Sequence, residues 1–282
     1  MGKYLQQAAS PKVVNHAWRY LHNDRGIWRR GLSVEDMQKN LVRHVGEVSE
    51  LLLSGKFRPD VMRCYEVNKA DGGKRLICAS AVRDKLAQRA IFTVLEPLGE
   101  AIFHECSFGF RPQFTLDMAL SKVREFVRKG YVWLGDADIK KCFDNIPYKM
   151  VLKSLQKLCG DKELVEVVRR CIESQPDKFR PSGRGRGLPQ GMVLSPFLCN
   201  LYLHEFDCFL QYQQIPFVRF ADDFILFAKD EAGAKLALQL AGKQLKKLGL
   251  ELHPDKTKVI RSSKRHRFLG KRLPDGKPRF SL

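Results

Sequence analysis

The chain has 282 residues, 44% of them hydrophobic and 10% aromatic, and its 50 Lys and Arg against 31 Asp and Glu give a formal net charge of +19. That length supports a large core or two or three subdomains. Apolar runs are short and interrupted by charges, which argues against a transmembrane span, and the first residues lack the apolar stretch of a secretory signal. The positive excess calls for a polyanionic partner, nucleic acid well ahead of an acidic membrane surface. Eight cysteines without a C-x-x-C pair, and seven histidines without metal-binding spacing, point to reduced thiols in a cytoplasmic protein.

In chain order, Ser33 should cap a helix whose apolar stripe is Met37, Leu41, Val45, Val48 and Leu52, with Gly55 at its end. RCYEVNKADGGKRLICAS reads as a β-hairpin turning at Asp71-Gly72-Gly73. Ser80 should cap a helix through Leu86, Ile91, Val94 and Leu98, and Thr115 another that Gly130 closes. YVWLGDADI is a strand dense enough in apolar residues to be central in a sheet. Pro147 opens a helix that Gly160 stops, and Ser195-Pro196 starts a largely buried one. A strand pair within PFVRFADDFILFAKD, a helix from Glu231 to Lys247 and two extended pieces complete the pattern. The expected class is α+β: a mainly antiparallel sheet flanked by helices, in one compact unit with subdomains.

The carboxylates need explaining. Asp222 and Asp223 interrupt a run that otherwise reads as buried strand, and an unpaired buried carboxylate is expensive. A plain turn is the simplest account, yet Asp-Asp supplies neither Gly nor Asn for positive φ. Asp138 ends the YVWLGDADI strand and, alone, reads as a solvated strand end. Together the three could hold two Mg²⁺ ions, roughly 3.5–4 Å apart, for phosphoryl transfer. Between them, GRGLPQGMVLSP offers Gly183, Gly185, Gly187 and Gly191 for close backbone approach to a ligand, and Gln190 as donor and acceptor. A basic strip from Lys256 to Arg279 suits a phosphate backbone.

The blocks RGLSVEDMQKNL, NKADGGKRLI, SFGFRP, ADIKKCFDNI, GLPQGMVLSPFLCNLYL, RFADDFILF, GLELHPDKTKVI and RFLG occur in that order. Their sequence resembles the finger and palm blocks of bacterial reverse transcriptases of the group II intron type, over about Leu21 to Arg272. The resemblance implies a right-hand polymerase fold and RNA-directed DNA synthesis with two Mg²⁺ ions. It makes Asp138 and Asp222 metal ligands, with the Ile139 carbonyl, and gives Asp223 an assisting role because adjacent strand residues point to opposite sides. Phe143 would be the steric gate against a 2′-OH, and Gln190 would lie beside the incoming nucleotide. Lys69 and Arg75 would clamp its triphosphate, with Arg63 a further candidate. Lys256, or alternatively Lys258, would protonate pyrophosphate. Phe268, Leu269 and Gly270 would form a primer grip.

Departures are Phe220 where the family commonly has Tyr, and NKADGG in place of a Pro-Lys-Pro. The implied domains are an N-terminal extension (1–30), fingers with part of the palm (31–130), palm (131–262), and a primer-grip hairpin and tail (263–282) with no thumb segment. The implied partners are an RNA template, nascent DNA and dNTP, with a structured non-coding RNA or partner protein in the thumb's role and no membrane. A CRISPR-associated or antiviral defence setting follows as the expectation. The competing readings are a catalytically silent RNA-binding scaffold and an RNA-templated RNA polymerase, the latter disfavoured by the bulk of Phe143.

Overall fold

The computed structural model describes residues 2–68 and 72–276. Helices α1 (Lys3–Ala8) and α2 (Pro11–Trp18) precede a short ribbon of β1 (Ile27–Arg29) and β2 (Leu32–Ser33). Then come α3 (Val34–Gln38), α4 (Leu41–Leu53), the hairpin β3 (Arg63–Asn68) and β4 (Lys74–Ala79), and α5 (Val82–Glu100). Helix α6 (Leu116–Arg128) leads into β5 (Trp133–Asp138), followed by α7 (Cys142–Asn145), α8 (Tyr148–Cys159), α9 (Lys162–Glu173) and α10 (Ser195–Tyr212). Last are β6 (Phe217–Phe220), β7 (Asp223–Ala228), α11 (Glu231–Lys247), β8 (Lys258–Arg261), and a ribbon of β9 (Arg267–Phe268) and β10 (Lys271–Arg272). Two compact units result: Met1–Ile102 with Phe143–Leu201, and Phe103–Cys142 with Tyr202–Leu282. The chain crosses from the first to the second after Ile102, returns at Phe143 and crosses again at Tyr202.

The first unit packs its helices around α5, whose Leu86, Ile91 and Leu95 are fully buried, with Trp28 and Phe57 in the same core. The helix expected from Ser33 is two helices. Ser33 does cap α3, accepting from the Asp36 N–H, but Asn40 at φ −133° leaves helical space before α4 begins. The apolar stripe survives the break, since Met37, Val48 and Leu52 are all buried. Nor is Ser80 a cap: Ala81 precedes α5, and the buried Ser80 hydroxyl instead accepts from Gln88 Nε2 at 3.4 Å. Helix α9 was not anticipated, although Asp161 marks it. The Asp161 carboxylate caps Leu164 N–H at 3.0 Å and accepts from both Tyr4 and Leu5 N–H at 2.8 Å, so one side chain finishes two helices. A Cβ at Gly2 would fall 1.8 Å from that carboxylate.

The second unit is built on a four-stranded sheet in the order β6-β7-β5-β8, every neighbour antiparallel. Helix α11 packs against it where Gly135 leaves room: a Cβ there would lie 2.7 Å from the Leu238 side chain. Phe206 meets Phe224 edge-on at 5.3 Å, and Phe126 lies 4.8 Å from Phe227. Along β6, Arg219 N–H donates to the Cys106 carbonyl and Arg219 C=O accepts from Phe108 N–H, both at 2.8 Å, so residues 106–108 cover what would be a bare edge.

Arg219 is fully buried and answered by Asp207: Nε and Nη2 donate to the two carboxylate oxygens at 2.7 and 2.5 Å. Removing one partner leaves the other charge buried and alone, which costs about 3–5 kcal/mol. Asp207→Ala should therefore lower the unfolding free energy in a denaturant titration by about that amount. Lys235→Ala, which breaks the exposed pair with Glu231, should change it by less than about 0.5 kcal/mol.

Candidate active site

The Asp pair is indeed at a turn. Phe220 pairs with Asp223, leaving Ala221 and Asp222 as the two turn residues between β6 and β7. The positive φ that the sequence seemed unable to supply comes from Ala221, at +61°, which is uncommon for a residue with a Cβ. Two contacts hold it there. Arg219 Nη1 donates to the Ala221 carbonyl at 2.9 Å, and Gly109 presses on the turn so closely that a Cβ would lie 2.3 Å from Ala221 N. The glycine of SFGFRP thus has a steric reason.

Strand alternation does not apply to the two aspartates, because Asp222 lies in the turn and only Asp223 on the strand. Asp223 stands directly opposite Asp138 in the β5–β7 register. Opposed residues of antiparallel strands share a face, so these side chains are neighbours. Asp136, two residues before Asp138, projects from the same face and was overlooked in the sequence, where its i, i+2 spacing was the available signal. The Asp222 carbonyl accepts from Ile139 N–H at 3.2 Å, tying the turn to the end of β5. Ile139 is buried.

Two lysines answer these charges, and their locations differ. Lys256 donates to Asp138 Oδ2 at 2.6 Å, whereas Lys258, on β8, sits 3.5 Å from Asp136. The backbone places Lys256: His253 N–H donates to the Asp138 carbonyl at 2.8 Å, and Lys256 N–H to the His253 carbonyl at 3.3 Å. Its hydrogen bond to Asp138 holds the Lys256 ammonium above its ordinary pKa. Burial, then the neighbouring Asp222 and Asp138 charges, push Asp223 up to about 6. Burial likewise raises Asp136, with Lys258 opposing. Among the described residues no three His, Cys, Asp or Glu side chains are drawn into a ready-made metal cage. The donor chemistry nevertheless fits a hard divalent cation: carboxylates crowded against their own repulsion, one of them already bound to an ammonium.

In the first unit, Phe143 and Gln190 belong to one stitched assembly. Phe143 C=O accepts from Leu188 N–H at 2.8 Å, Gln190 Nε2 reaches Asp144 Oδ1 at 3.3 Å, and Gln190 C=O accepts from Cys78 N–H at 2.7 Å. Gly191, at φ +114°, would put a Cβ 2.7 Å from the Cys78 carbonyl. The close approach for which this glycine was read is therefore to the β4 backbone. Arg63 and Arg75 share a face of the β3–β4 hairpin, opposite Ala79 and Val67 respectively, and both are exposed. Lys69 lies outside the described residues. In the second unit, Phe268 is buried, and Leu269 and Gly270 form a tight turn with φ +51° and +75°, closed by Arg267 Nη1 donating to the Gly270 carbonyl.

An antiparallel sheet bearing opposed aspartates, with flanking helices and a basic hairpin, is the fingers-and-palm fold of a right-hand nucleic-acid polymerase. The family model for reverse transcriptase (RNA-dependent DNA polymerase) matches residues 67–273, and the chain belongs to that family. It is 27% identical to the group II intron-encoded protein LtrA of Lactococcus lactis, over 92% of this chain and 54% of LtrA. It is 26% identical to protein YkfC of Escherichia coli, over 99% of this chain and 84% of YkfC. A chain of the partial Cas6-RT-Cas1–Cas2 complex superposes with a TM-score of 0.51 and 24% identity, over 86% of this chain and 41% of that one. This chain thus spans about half of LtrA and less than half of the Cas6-RT-Cas1–Cas2 chain. Among the described residues no helix is long and apolar enough to cross a membrane.

With its folded pKa near 6 against an ordinary 3.8, Asp223 binds protons more readily folded than unfolded. Its charge therefore costs stability above pH 6, and that cost fades as pH falls toward 4. Discounted for partial exposure, it amounts to roughly 1–2 kcal/mol. In chelator-treated protein, Asp223→Asn should be more stable than wild type by that amount at pH 8, with the advantage shrinking toward pH 4.5. Denaturant midpoints across the pH series would show it.

Proposed function

We propose that this chain copies RNA into DNA by adding deoxynucleotides to a primer, with two Mg²⁺ ions held by Asp138, Asp222 and the Ile139 carbonyl and with Asp223 as a further carboxylate. The observation that carries the reading is Asp223 opposite Asp138, next to the Asp222 turn, on one face of the antiparallel sheet. When bound, the ions would activate the attacking hydroxyl and neutralise charge on the leaving phosphate. The chain's own residues do the rest. Lys256, charged and at the rim of the cluster, is suited to hand a proton to departing pyrophosphate. Arg63, Arg75 and Lys69 would neutralise the triphosphate. Gln190, fixed through its main chain to β4, would orient the nucleotide, and the Phe143 ring would exclude a 2′-hydroxyl.

For the biological setting we favour a CRISPR-associated or antiviral system, with an RNA or protein partner enclosing the duplex. What supports it is the reverse transcriptase within the Cas6-RT-Cas1–Cas2 neighbour. Co-purification of the chain from its native host should bring down a Cas protein or a discrete structured RNA. Recovery with spliced intron RNA would place it in intron mobility instead.

Primer extension on an RNA template with dNTPs or NTPs tests the chemistry. Asp138→Ala should reduce dNTP incorporation on the order of a thousandfold or more. Its unfolding should change little, because the Lys256 ammonium left without its partner is largely solvent-exposed. Substantial synthesis by the folded variant would remove Asp138 from the metal site. Phe143→Ala should keep dNTP use and cut the preference for dNTP over NTP roughly tenfold or more in single-nucleotide assays. An unchanged preference would mark Phe143 as packing.

A further inference from the structure

We propose that Cys64 and Cys78 are a modification site: a thiol pair at the root of the β3–β4 hairpin that a hydroperoxide converts reversibly to a disulfide. Cys64 and Cys78 are direct cross-strand partners, and their sulfurs are 2.7 Å apart. The type of pairing is fixed by where the hydrogen bonds go. Cys78 N–H leaves the hairpin to donate to the Gln190 carbonyl, so the two cysteines are a non-hydrogen-bonded pair, the arrangement that brings opposed side chains closest, with Cα atoms about 4.5 Å apart. That separation lies within the range bridged by disulfides. The backbone is already in place, and the sulfurs must close by only a fraction of an ångström.

Access and reactivity assign the order of events. Cys64 is half-buried and Cys78 fully buried, so peroxide meets Cys64 first. Burial, with the Cys64 thiol beside it, lifts the Cys78 pKa far above the ordinary thiol range, which suits it to be the second partner and not the first. Cys64 gives up its thiol proton and attacks one peroxide oxygen, the O–O bond breaks, and Cys64 becomes a sulfenic acid as the released hydroxide takes that proton and departs as water. Cys78 sulfur then attacks Cys64 sulfur, the S–O bond breaks, and hydroxide leaves with the Cys78 proton as a second water. Two thiols and one peroxide give one disulfide and two waters, the peroxide taking both electrons.

Closing the bridge would fix the base of the hairpin that carries Arg75, at the residue whose N–H anchors Gln190. Of the other six cysteines, five are buried and Cys208 is exposed, which makes Cys208 the natural competitor.

The test uses the whole chain. It is treated with hydrogen peroxide, blocked with N-ethylmaleimide, digested and analysed by mass spectrometry, with thermal unfolding measured in parallel. The expected result is a Cys64–Cys78 linked peptide that dithiothreitol dissolves, while Cys208 is alkylated. Linked wild type should melt a few degrees above its reduced form, and Cys64→Ser, at a half-buried site, should show no such rise under the same treatment. The proposal fails if Cys64 proceeds to sulfinic acid without linking, if the linked peptide joins Cys64 to Cys208, or if linkage lowers the melting temperature. None of these readouts depends on polymerase activity, so they stand apart from the functional reading.

Discussion

Carboxylates gathered at one end of a sheet repel one another, and the second unit is arranged around the buried ion pair that keeps them there. Arg219 spends two of its donors on Asp207 and a third on the Ala221 carbonyl, at the residue before Asp222. Its backbone accepts a covering segment on the outer edge of β6. Arg219 thus joins a helix, a strand, a turn and a loop, and its guanidinium is a planar, always-charged group that Lys could not replace. The turn can then hold a non-glycine residue at positive φ beside the aspartates. Stability is not the evident gain, since buried ion pairs often merely break even. Fixed geometry is.

The first unit fastens its loops in another way. Its loops are attached through side-chain and main-chain hydrogen bonds that cross long stretches of sequence: Asp161 to the N-terminal helix, Gln88 to Val193 N–H, and the Gln190 carbonyl to Cys78. Each satisfies a backbone group that would otherwise be stranded. Because Gln190 is held by its main chain, its side chain is kept for Asp144 and for whatever occupies that surface.

Much of this was legible in the residues. Period-two and helical patterns gave the hairpin β3–β4, strand β5 and helices α6, α8, α10 and α11, and the ordered motifs singled out Asp138, Asp222 and Asp223. What escaped depends on three-dimensional register or on long-range contacts. Strand alternation has no hold on the Asp222-Asp223 pair, because the turn removes Asp222 from the strand. Ser80 looked like a cap because nothing local reveals that Gln88 claims its hydroxyl. The helix from Ser33 looked continuous because a stripe can persist through a break that only φ at Asn40 reports. The choice between Lys256 and Lys258 was open in the sequence, and it turns on which strand position faces which aspartate.

Among the non-glycine residues held at positive φ, Ala221 and Leu269 sit at hairpin tips, where glycine or asparagine would be more comfortable. The backbone there is strained, and strain of this kind is retained when neighbours overdetermine it. For protein engineering this defines a hazard. A library selected only for thermal tolerance would find relief at these two tips early, because relaxing them is one of the easier routes to added stability. The enriched variants would have looser turns beside the aspartates and beside Phe268. A screen intended to improve the protein should therefore score the proposed synthesis along with heat resistance, or leave positions 221 and 269 out of the randomised set.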